Sequence, residues 1–395
     1  MAMAAALETL VPRFGLWVML ALGWGWTALS ALVLIRIRRR RLPAPARIEG
    51  VSVLKPLAGV DDTLEQNLET FFVQSYPDYE LIFGVQSPDD PALRVARDLR
   101  ARYPHVRARI VVHDACALNP KVSNLRVMLT AAEHDLIAIS DSNVAVERDW
   151  LAELQAVHAR PGVGLACNLI AGTGERSLGA ALDNLALHAL VAPGMAVPTE
   201  LFEHPAVVGK STLFRRSTFE RIGGFESVSN VLAEDYVIGR MFHAAGYKVC
   251  LAPSPVRALS VSTTVPAFVR RHMRWAMLRL RLAPLSYALE PLTNPLTAAL
   301  CAPLLHVPFA PALALALILS CLRHALLTLL LRGPRDLAPV FLLGPLCELL
   351  LLASWAAAPF RRHVQWRGQR LRVGAGTRLY AETPLPISHQ LWIEH

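Results

Sequence analysis

The stretch DLIAISDSNV, residues 135–144, runs aliphatic residues into Asp141 and stops at Ser142-Asn143. A short apolar run bounded by polar residues reads as a buried strand. Ligands of open α/β sheets sit outside the carboxyl ends of such strands, so Asp141 would stand at a sheet's working edge. A turn or helix-cap aspartate is the plain structural alternative. QSPDDP (86–91) and NPK (119–121) bring Asp90 and Lys121 to neighbouring loops. Carboxylates at such a rim can hold a metal or meet a base edge, and a lysine can meet phosphate. Mg²⁺ in particular is often held by one or two carboxylates plus the substrate's own phosphates. A Rossmann glycine fingerprint and a Walker loop are both absent, which disfavours dinucleotide oxidoreductases and P-loop NTPases.

The elements that must position these residues alternate in type. VSVLKPL (51–57), ELIFGVQ (80–86), RARIVVH (107–113) and DLIAIS (135–140) read as strands. Between them TLEQNLETFFVQ (63–74), ALRVARDLRARY (92–103) and VSNLRVMLTAA (122–132) carry apolar residues at three- and four-residue spacing. That order implies right-handed βαβ crossovers and a mainly parallel sheet. Further on, Glu234-Asp235-Tyr236 opens a helix whose apolar face is Val237, Ile238, Met241 and Phe242. Acidic residues in a first turn are stabilised by the helix macrodipole, which accounts for them without any chemistry. FVRRHMRWAMLRLRL (268–282) is basic and amphipathic, and taken alone it reads as a membrane-surface helix.

Apolar residues gather at both ends of the chain, and the mean hydropathy of +0.36 is high for a wholly soluble protein. Residues 15–35 form an uncharged run of about the ~20 residues needed to cross a bilayer, followed at once by RIRRRR. A cleaved signal peptide has the opposite order of charge and core, so an uncleaved anchor is expected in residues 1–47. Residues 48–290 have the mixed composition of a water-soluble domain. In 291–360, spans are expected at about 311–331 and 339–358, with the proline-bearing piece 292–309 re-entrant or interfacial. Two spans return the arginine-rich tail, 361–395, to the side of the first basic cluster, which stays cytoplasmic; three would strand it outside. The net charge of +9 is partly these membrane-flanking clusters, suited to an anionic leaflet, and no nucleic-acid-binding signature accompanies it. Six cysteines without CxxC or close pairing fit a reduced compartment and support neither a disulfide framework nor a structural zinc site.

The order KPLAGVD, VQSPDDPA, NPKVSNL, DSN, AEDY and RRHMRW, set between membrane segments, resembles the ceramide glucosyltransferase family of membrane glycosyltransferases. The likeness covers roughly residues 15–380 and extends to NLETFF, YPDYE and, in the tail, WRGQRLRVGAGT. A bacterial relative, the hopanoid-biosynthesis glycosyltransferase, shares NPKVSNL and a similar acidic motif. The resemblance implies an A-type glycosyltransferase domain, Rossmann-like, between N-terminal and C-terminal transmembrane helices. It implies that Asp90 lies near the uracil and ribose of a UDP-sugar, Asp141 near the diphosphate and its metal, and that Asp235 is the general base. Pro56, Lys121 and Arg274 join the donor-binding set. Arg271, Arg274 and Trp275 fit the family's [Q/R]xxRW motif, where the soluble catalytic core meets the acceptor. Asn143 departs from the general A-type pattern, standing where many such enzymes have a second carboxylate.

The implied reaction displaces UDP from the anomeric carbon, building charge on the diphosphate that fixed cations or a metal can stabilise. Removing the acceptor's proton is worth ~10²- to 10⁴-fold, and Asp235 is placed for it. Single displacement predicts inversion. The expectation is therefore an integral membrane protein, its catalytic domain cytoplasmic, using Mg²⁺ or Mn²⁺ to transfer glucose from UDP-glucose to the primary hydroxyl of a ceramide-like lipid. The alternatives are a UDP-N-acetylglucosamine-dependent hopanoid lipid transferase and, in another class, an inactive membrane scaffold that binds nucleotide.

Overall fold

The computed structural model describes residues 2–61, 63–334, 339–366, 369–381 and 391–394. Asp62 of KPLAGVDD, Arg335 and Asp336 of the RGPRD loop, and Arg367-Gly368 of the tail motif lie outside the described residues. The chain forms two units. One holds Arg36–Gly174, Gly194–Val261 and Arg362–His395; the other holds Met1–Ile35, Glu175–Pro193 and Ser262–Arg361. The boundary at Val261 falls earlier than residue 290, so the RRHMRW segment belongs with the apolar helices by contact.

The first unit is built on a nine-stranded sheet. Strands β1 (Val51–Pro56), β2 (Tyr79–Val85), β3 (Arg107–His113) and β4 (Leu136–Ile139) are followed by β5 (Val144–Ala145), β6 (Val163–Thr173), β7 (Thr212–Arg215) and β8 (Lys248–Leu259). Strand β1 is buried along its whole length, Ser52 and Lys55 included, as a strand covered on both faces of its sheet should be. It pairs in parallel with β2, Val53 opposite Leu81, and with β4, Val53 opposite Ala138; β3 extends the parallel set beyond β2. The helix Leu64–Phe72 buries Leu64, Leu68, Phe71 and Phe72 on one face. Helices Ala92–Arg102 and Pro120–Thr130 complete the crossovers. The expected parallel pattern thus holds for β3-β2-β1-β4. Beyond it the sheet is mixed: β7 runs antiparallel to both β4 and β6, while β6 and β8 are parallel.

The C-terminal segment is folded into the same unit. After β9 (His363–Trp366), β10 (Gln369–Val373) and β11 (Leu379–Ala381), which form a small antiparallel sheet, β12 (Leu391–Glu394) pairs antiparallel with β3. The Thr377 carbonyl accepts from Leu232 N at 3.0 Å, and Leu379 N donates to the Asn230 carbonyl at 2.7 Å. These bonds have a topological consequence. Strands β1 to β8 and strand β12 lie in one sheet, hence on one side of any bilayer, and the chain between β8 and β12 would cross it an even number of times.

The second unit is helical. Among the described residues four helices are long and apolar enough to cross a membrane: Phe14–Arg38, Leu178–Leu201, Phe309–Arg332 and Phe341–Phe360. The last two lie between β8 and β12 and are even in number. The stretch Leu178–Leu201 has no counterpart in the sequence reading. It lies between β6 and β7, which are hydrogen-bonded neighbours. Both its ends therefore return to the same side, and it cannot be a single crossing. The helix Pro295–Cys301 has seven residues and reaches only about 10 Å. Its Ala298 packs with Leu16, Leu20, Ala302 and Ala312.

Candidate active site

Strands β1 and β4 deliver their last residues to one rim of the sheet. At the end of β1, Lys55 is fully buried and donates to the Asp141 carbonyl at 2.6 Å and to Ser140 Oγ at 3.3 Å. Its ammonium lies 3.7 Å from the centre of the Phe71 ring, a desolvated cation–π contact. Burial pushes the Lys55 pKa well down, with Lys210 and Lys121 adding to the fall against the pull of Asp141.

The NPKVSNL motif acts through its first residue. Asn119 caps the helix Pro120–Thr130, accepting from Lys121 N at 2.9 Å and Val122 N at 3.1 Å, with Pro120 at the first helical position. The amide nitrogen of the same side chain donates to the Val231 carbonyl at 2.7 Å and to Glu234 Oε2 at 3.1 Å. One buried amide thus fixes the start of the helix Glu234–Ala244 against the start of the helix that carries Lys121.

Lys121 Nζ then lies 2.7 Å from Asp141 Oδ1, 3.3 Å from Glu234 Oε1 and 3.2 Å from the Gly209 carbonyl. A second cation, Lys210, donates to Asn143 Oδ1 at 2.7 Å and stands 3.7 Å from Asp141 Oδ2. Asp235 Oδ2 accepts from Gly209 N at 2.7 Å, and its Oδ1 from Tyr236 N. A Cβ at Gly209 would meet Lys121 Nζ at 2.7 Å and Asp235 Cβ at 3.1 Å, so a side chain there would push the lysine head aside.

The charges in this cluster tune one another. Burial opposes the charged form of Lys121, but Asp141, Glu234 and Asp235 outweigh it and hold its pKa above the ordinary lysine value. Burial would raise the Asp141 carboxyl, yet Lys121, Lys210 and Lys55 bring it below the usual range. Glu234 goes the other way. Burial, reinforced by Asp235 and opposed by Lys121, raises it from its ordinary 4.5 to about 7. Asp141 and Asp235 are partly exposed, so both can be reached by ligand, whereas Glu234 is only 6% exposed.

The fold therefore brings Lys121, Asp141 and Asp235 together. Asp90 has a scaffolding job as well: both its oxygens accept from Gly59 N, at 3.0 and 3.1 Å, and Oδ1 also accepts from Ala92 N at 2.9 Å. It holds the loop after β1, where Gly59 has φ of 68°, against the first turn of the next helix. Pro56 is buried at the close of β1, opposite Gly84. Arg271, Arg274 and Trp275 sit on the helix Val265–Leu282 of the helical unit. There Arg271 pairs with Asp183, whose Oδ1 is 3.2 Å from His272 Nε2, and Trp275 packs edge-on against His272 at 5.0 Å.

Sequence reasoning passed over Lys55, Lys210 and Glu234. Lys55 stands in KPLAGVD and Glu234 in AEDY, so adjacency to a motif residue was the one signal for those two. Lys210, in GKST, lies in none of the quoted motifs, and it owes its place to charge partners from distant segments. The tail motif also gains a role: Ala233 N donates to Thr377 Oγ1 at 3.4 Å, so this segment braces the approach to Glu234-Asp235.

Comparison with known proteins places this geometry. A family model described as glycosyl transferase family 21 matches residues 15–379. The chain is 31% identical over 258 residues to ceramide glucosyltransferase 1 of Caenorhabditis elegans, covering 64% of this chain and 54% of that protein. It is 32% identical over 225 residues to the ceramide glucosyltransferase of Komagataella phaffii, covering 49% and 44%. The chain thus spans about half the length of the curated relatives it matches. Among solved structures it resembles the mannosyltransferase PcManGT from Pyrobaculum calidifontis, in complex with GDP-Man and Mn²⁺, with a TM-score of 0.51. Identity is 18%, over 87% of this chain and 99% of that one. The likeness shows the A-type glycosyltransferase fold.

Proposed function

The chain belongs to glycosyl transferase family 21, and from that premise we propose that it transfers glucose from UDP-glucose to the primary hydroxyl of a ceramide-like membrane lipid. The observation that carries this reading is the Lys121 ammonium held between Asp141 and Glu234, with Asp235 alongside. It puts cation and base on one sheet rim.

In the reaction the acceptor O–H gives its proton to Asp235 as its oxygen bonds to the anomeric carbon. The bond from that carbon to the diphosphate breaks on the opposite side, and UDP leaves. The product is a β-linked sugar from an α-linked donor. Two backbone N–H groups fix the Asp235 carboxylate, so its direction is set before the acceptor arrives, which is how positioned groups lower barriers. Lys121 and Lys210 face the departing charge as preorganised cations. Glu234, at about 7, can be neutral or charged in the working range and sets how firmly Lys121 is held.

A divalent ion fits this site on one condition. Among the described residues no group of three or more His, Cys, Asp or Glu side chains could hold a metal, so most of its ligands must be the donor's phosphates and water. Mg²⁺ is commonly bound in that way. Asp141, 29% exposed, is the residue that would hold it, with the Asn143 amide oxygen nearby in the chain, and the ion would add positive charge at the diphosphate.

The acceptor side is assigned to Arg271, Arg274 and Trp275, and Arg274 also to the donor. Residues 1–47 and 291–360 anchor a catalytic region in the bilayer, with the sheet on the cytoplasmic side beside RIRRRR. The experiment is direct: supply membranes bearing the full chain with labelled UDP-glucose and UDP-N-acetylglucosamine, plus ceramide and hopanoid lipids, and identify the products by mass spectrometry. β-Glucosylceramide is expected. An amino-sugar hopanoid, or nucleotide binding with no transfer at all, would replace this reading.

A further inference from the structure

Two motif residues with no task in the reaction reach the turn that carries Asp141. Lys55 of KPLAGVD is fully buried near the end of β1, and Asn67 of NLETFF is fully buried in the helix Leu64–Phe72. Lys55 Nζ donates to the Asp141 carbonyl at 2.6 Å, and Asn67 Nδ2 donates to the Ser142 carbonyl at 3.4 Å. The next carbonyl, that of Asn143, accepts from Leu259 N at 2.8 Å. Three consecutive carbonyls are thus held from three separate elements: β1, the first crossover helix and β8.

Stability alone does not account for these residue types. Taking an ammonium out of water is costly, and the hydrogen bonds of Lys55 Nζ go to neutral acceptors, the Asp141 carbonyl and Ser140 Oγ, beside the Phe71 ring. An aliphatic residue would fill that position of a covered strand without the desolvation. Neutralising the Asp141 carboxylate is chiefly the work of Lys121 and Lys210, at 2.7 and 3.7 Å. Lys55 makes its close contact with the backbone instead, and a lysine N–H can do so in either protonation state. Asn67 shows the same pattern. Asparagine is a poorer helix former than leucine, and its Oδ1 is buried here with no hydrogen-bond partner. Its Nδ2 is shared between the Ser142 carbonyl and Thr63 Oγ1 at 3.2 Å.

What the two residues supply is direction. With its carbonyls tied to the fold, the turn resists rotation of its peptide planes, so the Asp141 carboxylate and the Asn143 amide keep one orientation with no donor present. Groups fixed before a ligand arrives need no ordering when it binds. We propose that Lys55 and Asn67 are positioning residues of the donor site, holding the Asp141–Asn143 turn so that Asp141 faces the diphosphate of the nucleotide sugar. The inference rests on the donor role proposed above for Asp141 and adds to it the residues that set its direction.

The test separates direction from stability. The full chain in nanodiscs is compared with Lys55→Met, which keeps much of the side-chain length and removes its donor, and with Asn67→Leu. UDP affinity is measured by calorimetry with Mn²⁺ present, and melting temperature and hydrogen exchange are measured without nucleotide. Lys55→Met should weaken UDP binding about tenfold and Asn67→Leu, which loses the longer bond, about threefold, through loss of a preorganised turn. Melting should move by no more than a few degrees, and exchange should quicken in the peptide covering 139–145 while β3 stays as in wild type. Unchanged UDP affinity in Lys55→Met overturns the proposal, as does a loss of affinity accompanied by faster exchange through the whole sheet. The wild-type chain answers alone if that variant does not fold. Amides of 142–145 as well protected without UDP as with it support the proposal, and fast exchange that slows only when UDP binds refutes it. The two readings fail separately. Glucosyl transfer with intact UDP affinity in Lys55→Met sinks the positioning role alone, while UDP binding that Lys55→Met weakens, with no glycolipid formed by wild type, sinks the transfer reading alone.

Discussion

Lys121 Nζ stands 2.7 Å from Asp141 Oδ1, joining the first turn of a crossover helix to the loop just beyond β4. Neither partner is well placed alone. A lysine in that helix start would meet unfavourable helix-dipole charge, and a carboxylate at a buried strand end would be desolvated. Together they hold each other ionised, and Lys210 reaches the same carboxylate from the far side at 3.7 Å. Approach of a diphosphate would place its negative charge among cations already balanced by Asp141, Glu234 and Asp235.

That balance separates Asp141 from its near neighbour. Asp141→Ala removes the carboxylate assigned to the divalent ion, whereas Asn143→Ala removes only a neutral oxygen held by Lys210. Donor affinity, measured by calorimetry with UDP-glucose and Mn²⁺, should fall at least tenfold in the first variant and no more than a few-fold in the second. Full activity of the wild-type protein in excess chelator, with metal shown absent by elemental analysis, would remove the ion from the reaction.

Asp235→Asn keeps the shape of the side chain and lets its oxygen still accept from one backbone N–H, so UDP-glucose should bind almost normally. Only proton abstraction is lost. The kcat should drop by ~10² or more with the donor KM little changed. Near-normal turnover in purified Asp235→Asn would shift the base to another group, and Glu234 is next in line by position.

Much of the parallel half of the sheet was legible because β1 to β4 each carry a cluster of aliphatic residues and are separated by helices of clear period. The other half was not. Strand β7 has four residues and owes its place to pairing with both β4 and β6, a long-range constraint without a local signature. The helical stretch Leu178–Leu201 escaped notice because Asp183, Asn184 and His188 interrupt its apolar character. Asp183 becomes intelligible only beside Arg271 and His272. Within the site, Asp141 and Lys121 were readable from motif and position. The network that makes Lys210 and Glu234 matter joins segments as far apart as residues 119 and 234, and no spacing rule connects those.

Glu234 gives a pH signature. Its carboxyl is raised from 4.5 to about 7 in the folded protein, so between those values the folded state binds the extra proton. The stability this group allows is complete below about 4.5 and is lost as pH rises through about 7. Glu234→Gln carries no such loss. Its melting temperature relative to wild type should therefore rise between pH 5 and pH 8, by calorimetry in one detergent and salt. A difference that is flat with pH would mean Glu234 is ionised throughout.

The pairing of β12 with β3 turns topology into a measurable claim. Strands β1 to β8 and β12 share one sheet, so a single side of the bilayer must hold them all, and in the proposed topology the basic RIRRRR run next to the first apolar helix puts that side in the cytoplasm. Sealed vesicles with the cytoplasmic face outward should then expose the sheet unit to added protease. Cleavage within it should abolish transfer, and UDP-glucose supplied outside should be used without a transporter. A single-cysteine variant at Asp89, on the exposed turn before Asp90, should react with a membrane-impermeant maleimide in the same vesicles. Protection of that site, with labelling only after detergent is added, would place the sheet and its whole charge network on the opposite face and reverse the proposed route of both substrates.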